Sequence, residues 1–165
     1  SKLGAWGRAL LWRLRAIRVM EYNQRLARDR KQTDITAEEA KQIELTNKYR
    51  IMMGRMPLEL CPKLVQTARK HSQEMVRLGY FSHESPVPSR RTPAMRAKLE
   101  GHDPMVGENI YMNTGGATAQ AAFDGWYHSS GHHRNMLSDR WTCLGTGHAS
   151  TRFTQNFGGC RNCAR

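Results

Sequence analysis

Three short polar stretches concentrate the residues able to do chemistry. Phe81-Ser82-His83-Glu84-Ser85-Pro86 presents an imidazole, Gly107-Glu108-Asn109-Ile110 a carboxylate, and Trp126 to Leu137 contains His128, His132 and His133 around Ser129-Ser130-Gly131. Each sits beside Gly, Ser or Pro, as functional groups on loops and element ends do. Two neutral imidazoles bind Zn²⁺ or a similar divalent ion, and a carboxylate serves as third ligand or as base for bound water. His83, Glu108 and His132, with His133 as the alternative to His132, meet that requirement. They are far apart in the chain, so the site they predict is tertiary. No HExxH stretch is present, so the pattern is not that of a zincin.

Competing chemistries are weaker. His128 and His132 would share a face of one continuous helix, but Gly131 between them opposes continuity. Ser82, Ser85, Ser129 and Ser130 lack the GxSxG elbow of a serine hydrolase and read as caps and loop residues. His71 falls on the apolar stripe of its helix and reads as a core residue. His102 and His148 have no companions nearby in sequence and read as surface or strand histidines. The four cysteines are Cys61, Cys143, Cys160 and Cys163. The Cys160-x-x-Cys163 pair lacks the following His of a haem site, because Ala164 stands there, and lies in no βαβ unit. It reads as a disulfide or metal pair. With Cys61 and Cys143 it allows a structural zinc site or two disulfides, although Cys61 at a helix start also suits a buried thiol.

These groups must be positioned by regular elements. Thr36-Ala-Glu-Glu39 is a capping box that opens a helix to about Met53, before Gly54 and Pro57. Pro62 starts a second helix, with Leu64, Ala68, His71, Met75 and Leu78 on one stripe and Gly79 as its stop. Thr92-Pro93 opens a short helix to about Leu99. Gly107 to Tyr111 is extended, and Thr118 to Tyr127 is helical. Two strands follow, Cys143 to Ser150 and Arg152 to Phe157, the second alternating Phe153, Gln155 and Phe157 with Thr154 and Asn156. Helices mixed with a few late strands predict an α+β layered fold.

Charge sets the first segment apart. The 165 residues carry a net +12, and residues 1–31 hold nine basic side chains against two acidic ones, a net +7. Leu3, Trp6, Leu10, Leu14 and Ile17 step at helical spacing between arginines. A basic amphipathic helix of this kind lies on an anionic membrane surface or packs on a protein partner. The chain begins with Ser1, which leaves room for a signal peptide or anchor upstream. No nucleic-acid-binding motif accompanies the charge, so no specific nucleic acid is expected.

Taken in chain order, Leu45-Thr46-Asn47, Gly79-Tyr80-Phe81-Ser82-His83, Gly107-Glu108-Asn109-Ile110, Trp126 to Leu137, Gly145-Thr146-Gly147 and Thr154-Gln155-Asn156-Phe157-Gly158 resemble the CAP superfamily. This superfamily comprises cysteine-rich secretory proteins, antigen 5 and pathogenesis-related proteins, and its compact bacterial branch is the nearest pattern. The similarity runs over about residues 38–159. It implies a three-layer α-β-α sandwich with a central cleft, here with the extra N-terminal basic amphipathic helix. It divides the chain into 1–35 (helix and linker), 36–159 (CAP-like domain) and 160–165 (CxxC tail). It implies a life outside the cytoplasm, secreted, periplasmic or bound to the cell envelope. By motif position it assigns His83, Glu108 and His132, or His133, to a cleft that holds zinc or another divalent ion in some members. The second acid of the eukaryotic pattern falls near Ser129, which is not acidic, and the eukaryotic disulfide pattern is missing.

The expected function is a binding module whose cleft takes a metal and a lipid, glycan or peptide. One alternative is an envelope-associated structural subunit docked through residues 1–32. The other is a metal-assisted hydrolase using His83 and His132, with Glu108 as general base.

Overall fold

The computed structural model describes residues 4–163. Ser1, Lys2, Leu3, Ala164 and Arg165 lie outside the described residues, as do the side chains of Trp6, Arg8, Arg15, Arg18, Arg25, Asp29 and Arg30 in the basic segment. The elements run α1 (Ala5–Gln32), α2 (Ala37–Met52), β1 (Glu59–Leu60), α3 (Pro62–Leu78), α4 (Pro93–Leu99), β2 (Gly107–Met112), α5 (Ala119–Tyr127), α6 (Ser130–Leu137), β3 (Cys143–Ala149) and β4 (Arg152–Gly158). Short 3₁₀ turns cover Pro88–Arg90 and Cys160–Asn162.

Local chemistry sets the helix ends. At the start of α2, Glu39 N donates to Thr36 Oγ1 at 3.2 Å and Thr36 N donates to Glu39 Oε2 at 2.9 Å, so the capping box forms in full. Helix α3 has Pro62 in its first turn and ends at Gly79 with φ 70°, a left-handed conformation that costs glycine little. Its buried face holds Leu64, Val65, Ala68, His71, Ser72 and Met75. Leu78, expected on that stripe, is exposed, because the helix has left the sheet by its last turn.

The sheet has the order β1-β3-β4-β2. β1 runs parallel to β3, and β4 pairs antiparallel with both β3 and β2. Alternation along β3 gives each face its own helix layer. Gly145 and Gly147 lie directly under α3, where a Cβ would stand 2.1 Å from Val65 N and 1.9 Å from Arg69 N. Thr146 points the other way and donates to Glu39 O of α2 at 2.9 Å. On that same face Gln155 donates to Gln42 and Thr46, both at 2.9 Å. Trp126 of α5 meets Phe153 edge-on at 6.3 Å and donates to Ile110 O at 2.9 Å. The result is the expected three-layer sandwich, with α3 on one side and α2, α5 and α6 on the other.

Helix α1 touches the domain near its C-terminal end. Tyr22 and Leu26 are buried in the main core, and Tyr22 Oη pairs with Asn47 Nδ2. Farther back, Leu10, Leu11, Trp12, Leu14 and Ile17 are exposed. No helix among the described residues is long and apolar enough to cross a membrane.

Candidate functional site

The site forms at β2, the free edge of the sheet. Glu108 points to the α3 side, opposite Asn156 in the β2–β4 register. It is buried, and both carboxylate oxygens are engaged. Arg96 Nη2 donates to Oε1 at 3.0 Å and to Oε2 at 2.8 Å. Asn156 Nδ2 donates to Oε2 at 3.2 Å, and His83 Nδ1 lies 2.9 Å from Oε1. Burial alone would raise the Glu108 carboxyl, but the His83 hydrogen bond and the Arg96 charge outweigh it and hold the group below the usual carboxylate range. An ionised carboxylate only accepts. The proton on His83 is therefore on Nδ1, and in the neutral ring Nε2 keeps its lone pair.

Two helices and a loop hold this arrangement. Arg96, fully buried on α4, also donates to the carbonyls of His83 (3.0 Å), Arg90 (2.9 Å) and Arg91 (3.1 Å). A second buried carboxylate, Glu74 of α3, ties down the Ser82–Thr92 loop. It accepts from Ser85 Oγ at 2.5 Å, Tyr80 Oη at 2.6 Å and Arg90 Nε at 2.8 Å. Burial would raise Glu74, but these donors lower it on balance, while burial and Glu74 push the Tyr80 phenol up to about 12. His71 of α3 lies behind the site, 3.9 Å from Glu108 Oε1, and its Nε2 meets Ser82 O at 3.1 Å. Burial drops His71 to about 4, so it is neutral near pH 7.

From the other side of β2, α6 brings His132. Asn109, facing that side, donates to His132 O at 3.2 Å. The His132 ring faces His83 with centroids 6.5 Å apart, and burial together with the neighbouring imidazole lowers its basicity. His83 keeps about half of its side chain exposed, 49%. His133 is turned away. Its Nε2 lies 2.7 Å from Tyr49 Oη and its ring stacks on Tyr127 at 5.2 Å. Of the two candidates, His132 is the one beside His83. His128 caps the end of α5, on a different helix from His132; the expected break is present, but it falls at Ser129, and Gly131 is helical within α6. Ser129 stands at the N-cap of α6. Beside the His83 loop is an open depression of about 650 Å³ lined in part by Tyr80, Glu84, Pro86, Pro88, Arg91 and Met95.

Sequence reasoning missed Arg96, Asn156 and the place of His71 behind the carboxylate. Asn156 carried a signal, since it alternates with Gln155 on a predicted strand. Arg96 carried none, being one of many arginines.

The cysteines also gather, away from the cleft. Cys61 pairs with Cys163 in a disulfide, so Cys61 is no simple buried thiol and Cys163 does not pair with Cys160. Cys143 Sγ lies 3.3 Å from Cys163 Sγ, and Cys160 packs against the same cluster. His102, expected at the surface, is buried here, where the Gly158–Gly159 turn passes over its ring. Ligand atoms of Cys61, His102, Cys143 and Cys163 lie within 4.8 Å of one another, a cluster that could hold a metal ion.

Residues 43–160 match the CAP family, described as the cysteine-rich secretory protein family. Two relatives in Bacillus subtilis (strain 168) are the uncharacterised protein YkwD, 33% identical over 127 residues, and the uncharacterised membrane protein YlbC, 35% identical over 125. These alignments take in 76% and 74% of this chain, but 48% of YkwD and 34% of YlbC, so the chain spans less than half of either. Among solved structures, an extracellular protein containing an SCP domain from Bacillus anthracis str. Ames is 31% identical, with TM-score 0.69 over 74% of this chain and 40% of that one. An outer surface protein from Borrelia burgdorferi shares the fold at 16% identity, with TM-score 0.65 over 76% of this chain and 95% of that one. The match over residues 43–160, carried by the same strands and loops that assemble the His83–Glu108 cleft, places this chain in the CAP family.

Proposed function

We propose that the chain is a binding module acting outside the cytoplasm, whose cleft holds a divalent metal through His83 and His132. One observation carries this reading: Glu108 engages His83 at Nδ1 and leaves the Nε2 lone pair unused by that bond, and the His132 ring lies beside it, with centroids 6.5 Å apart. Carboxylate–histidine pairs of this kind orient metal-binding imidazoles. Glu108 is then the orienting group and not a ligand, because Arg96 and Asn156 already occupy its oxygens. The same saturation makes it a poor general base, so the hydrolase reading is not favoured. Two imidazoles leave positions on the ion open to a ligand seated in the adjoining depression. The prolines, Tyr80 and Met95 beside Glu84 and Arg91 there offer apolar surface with a charged rim to a lipid, glycan or peptide. The extracellular and surface descriptions of the Bacillus anthracis and Borrelia proteins support the location.

The test is zinc titration of the wild type beside His83→Ala/His132→Ala. One zinc equivalent lost in the double variant, and kept in His133→Ala, is the expected result. Equal binding by all three proteins would remove the cleft from consideration.

A second reading concerns α1. Its exposed Leu10, Leu11, Trp12, Leu14 and Ile17 favour docking on an anionic membrane through the basic segment. Pelleting with phosphatidylglycerol vesicles, lost on deletion of residues 1–32, supports it. Wild-type protein that stays in the supernatant rules it out.

A further inference from the structure

All four cysteines of the chain converge from three separate places. Cys61 is the N-cap residue of α3, Cys143 opens β3, and Cys160 and Cys163 flank a single 3₁₀ turn after β4. Cys143 links the group: its sulfur is 3.3 Å from that of Cys163, and Cys160 and Cys163 pack against Cys61 and Cys143 in one cluster. The four cysteines therefore do not separate into two remote pairs.

Cys61 is the N-cap residue and makes no side-chain cap hydrogen bond, and its sulfur stands at the positive end of a 17-residue helix. The turn is closed by Cys163 N donating to Cys160 O at 3.1 Å and anchored by Cys160 N donating to Thr142 Oγ1 at 2.9 Å. A C-x₂-C turn is the usual half of a structural zinc site. His102 lies in the same group and braces the turn. Its Nδ1 lies 2.8 Å from Asp103 O and its Nε2 3.1 Å from Gly159 O on the turn, and the neutral ring donates to one of the two. In a tetrahedral zinc tetrathiolate the sulfurs are about 3.8 Å apart. Cys61, Cys143 and Cys163 already lie within 4.8 Å of one another; Cys160 is not in that group, and its sulfur has to turn inward from the packed C-terminal turn to complete the set.

We propose that Cys61, Cys143, Cys160 and Cys163 are the four ligands of a structural zinc ion in the reduced protein, and that the Cys61–Cys163 disulfide is the oxidised form of that site. The redox step is balanced by a dithiol reductant. It gives two electrons and two protons to the Cys61–Cys163 bond, yielding two thiols, and itself becomes a disulfide. Zn²⁺ then displaces four protons from the four thiols and is held as a tetrathiolate of charge −2. The metal ties the C-terminal turn to the start of α3 and to β3, as the disulfide does in the oxidised chain. This site is independent of the His83–His132 cleft.

The test uses the full chain, reduced with a phosphine, desalted without oxygen and titrated with Co²⁺ and then Zn²⁺. The expected result is one Co²⁺ per chain with the visible and near-ultraviolet absorption of a tetrahedral tetrathiolate, bleached stoichiometrically by Zn²⁺. Cys160→Ser keeps Cys61 and Cys163, and so keeps the oxidised fold as an internal control. In its reduced form it should bind roughly 100-fold or more weakly and lose the tetrathiolate spectrum. His83→Ala/His132→Ala should retain the spectrum. Reduced wild type that binds no Co²⁺, or shows only nitrogen and oxygen ligation, overturns the proposal. So does a Cys160→Ser titration that matches wild type.

Discussion

The cleft and the sulfur cluster occupy opposite edges of one sheet, the cleft on β2 and the cluster where β3 meets β1. Both contain a buried histidine next to groups able to bind a metal. The cleft is held by charge and by hydrogen bonds, with Arg96 paired to Glu108, Arg90 to Glu74, and His83 bonded to Glu108. The cluster is held by a covalent bond and thiol contacts. Protons should therefore loosen the first, and reductants or chelators the second. A site built on charge can also leave one imidazole half exposed for a ligand, whereas in the sulfur cluster Cys61 and Cys143 are fully buried.

The largest effect expected is from Arg96→Met. It strands the Glu108 carboxylate in the interior, and breaking a buried pair in this way costs about 3–5 kcal/mol. Urea unfolding should show that loss, with partial recovery in Arg96→Met/Glu108→Gln. A cost near zero would mean that the carboxylate is not held by charge, and the contrast between the two regions would fall.

Next is the cluster. Cys61→Ser opens a link between residues 102 apart in sequence, and loss of such a bond costs about 2–5 kcal/mol. In metal-free buffer, a reductant should lower the melting temperature of wild type toward that of Cys61→Ser and leave the variant unmoved. Arg96→Met should still respond to reductant, since its damage lies elsewhere.

The pH response should belong to the cleft. His71 is held at about 4 in the fold against 6.5 for the free group. Between those values the unfolded chain binds the proton that the fold refuses. Stability is therefore complete above pH 6.5 and falls with pH through that window, by roughly 3 kcal/mol. Glu108 adds to the loss at lower pH, because its lowered carboxyl contributes stability only while ionised. His71→Gln should flatten the drop between pH 6.5 and 4 in urea titrations. An unchanged slope would assign the acid response to other groups.

The smallest structural effect is expected from His83→Ala, below about 1 kcal/mol because the side chain is half exposed. Its zinc affinity should nonetheless fall. A large stability loss with no change in zinc binding would make His83 part of the scaffold.

Much of this was legible from residue types in local order. The Thr36–Glu39 capping box, the Gly79 stop and the Phe153-to-Phe157 alternation act within a few residues, and each element formed where the spacing required. His83, Glu108 and His132 could be named because imidazoles and carboxylates beside Gly and Ser stand out. Arg96 and Asn156 could not, since their role depends on which strands and helices meet across the sheet. The two-residue β1 is too short for periodicity to register. The Cys61–Cys163 link was equally hidden, because four cysteines allow several pairings and only the closure of β3 onto β1 brings Cys61 within reach of the tail.

Strand β4 is the neighbour of both β2 and β3, which gives the chain a particular order of assembly. Synthesis delivers residues 152–158 after nearly everything they organise. Until then β2 has no partner, and β1 waits for a strand that begins at Cys143. Local helices can flicker earlier, but their apolar sides have no sheet to cover. The non-local contacts that define the domain close together, late and slowly. The nascent chain thus lacks its sheet for most of its synthesis, and an unfolded chain is the state in which a polypeptide can be threaded through a narrow channel before it folds.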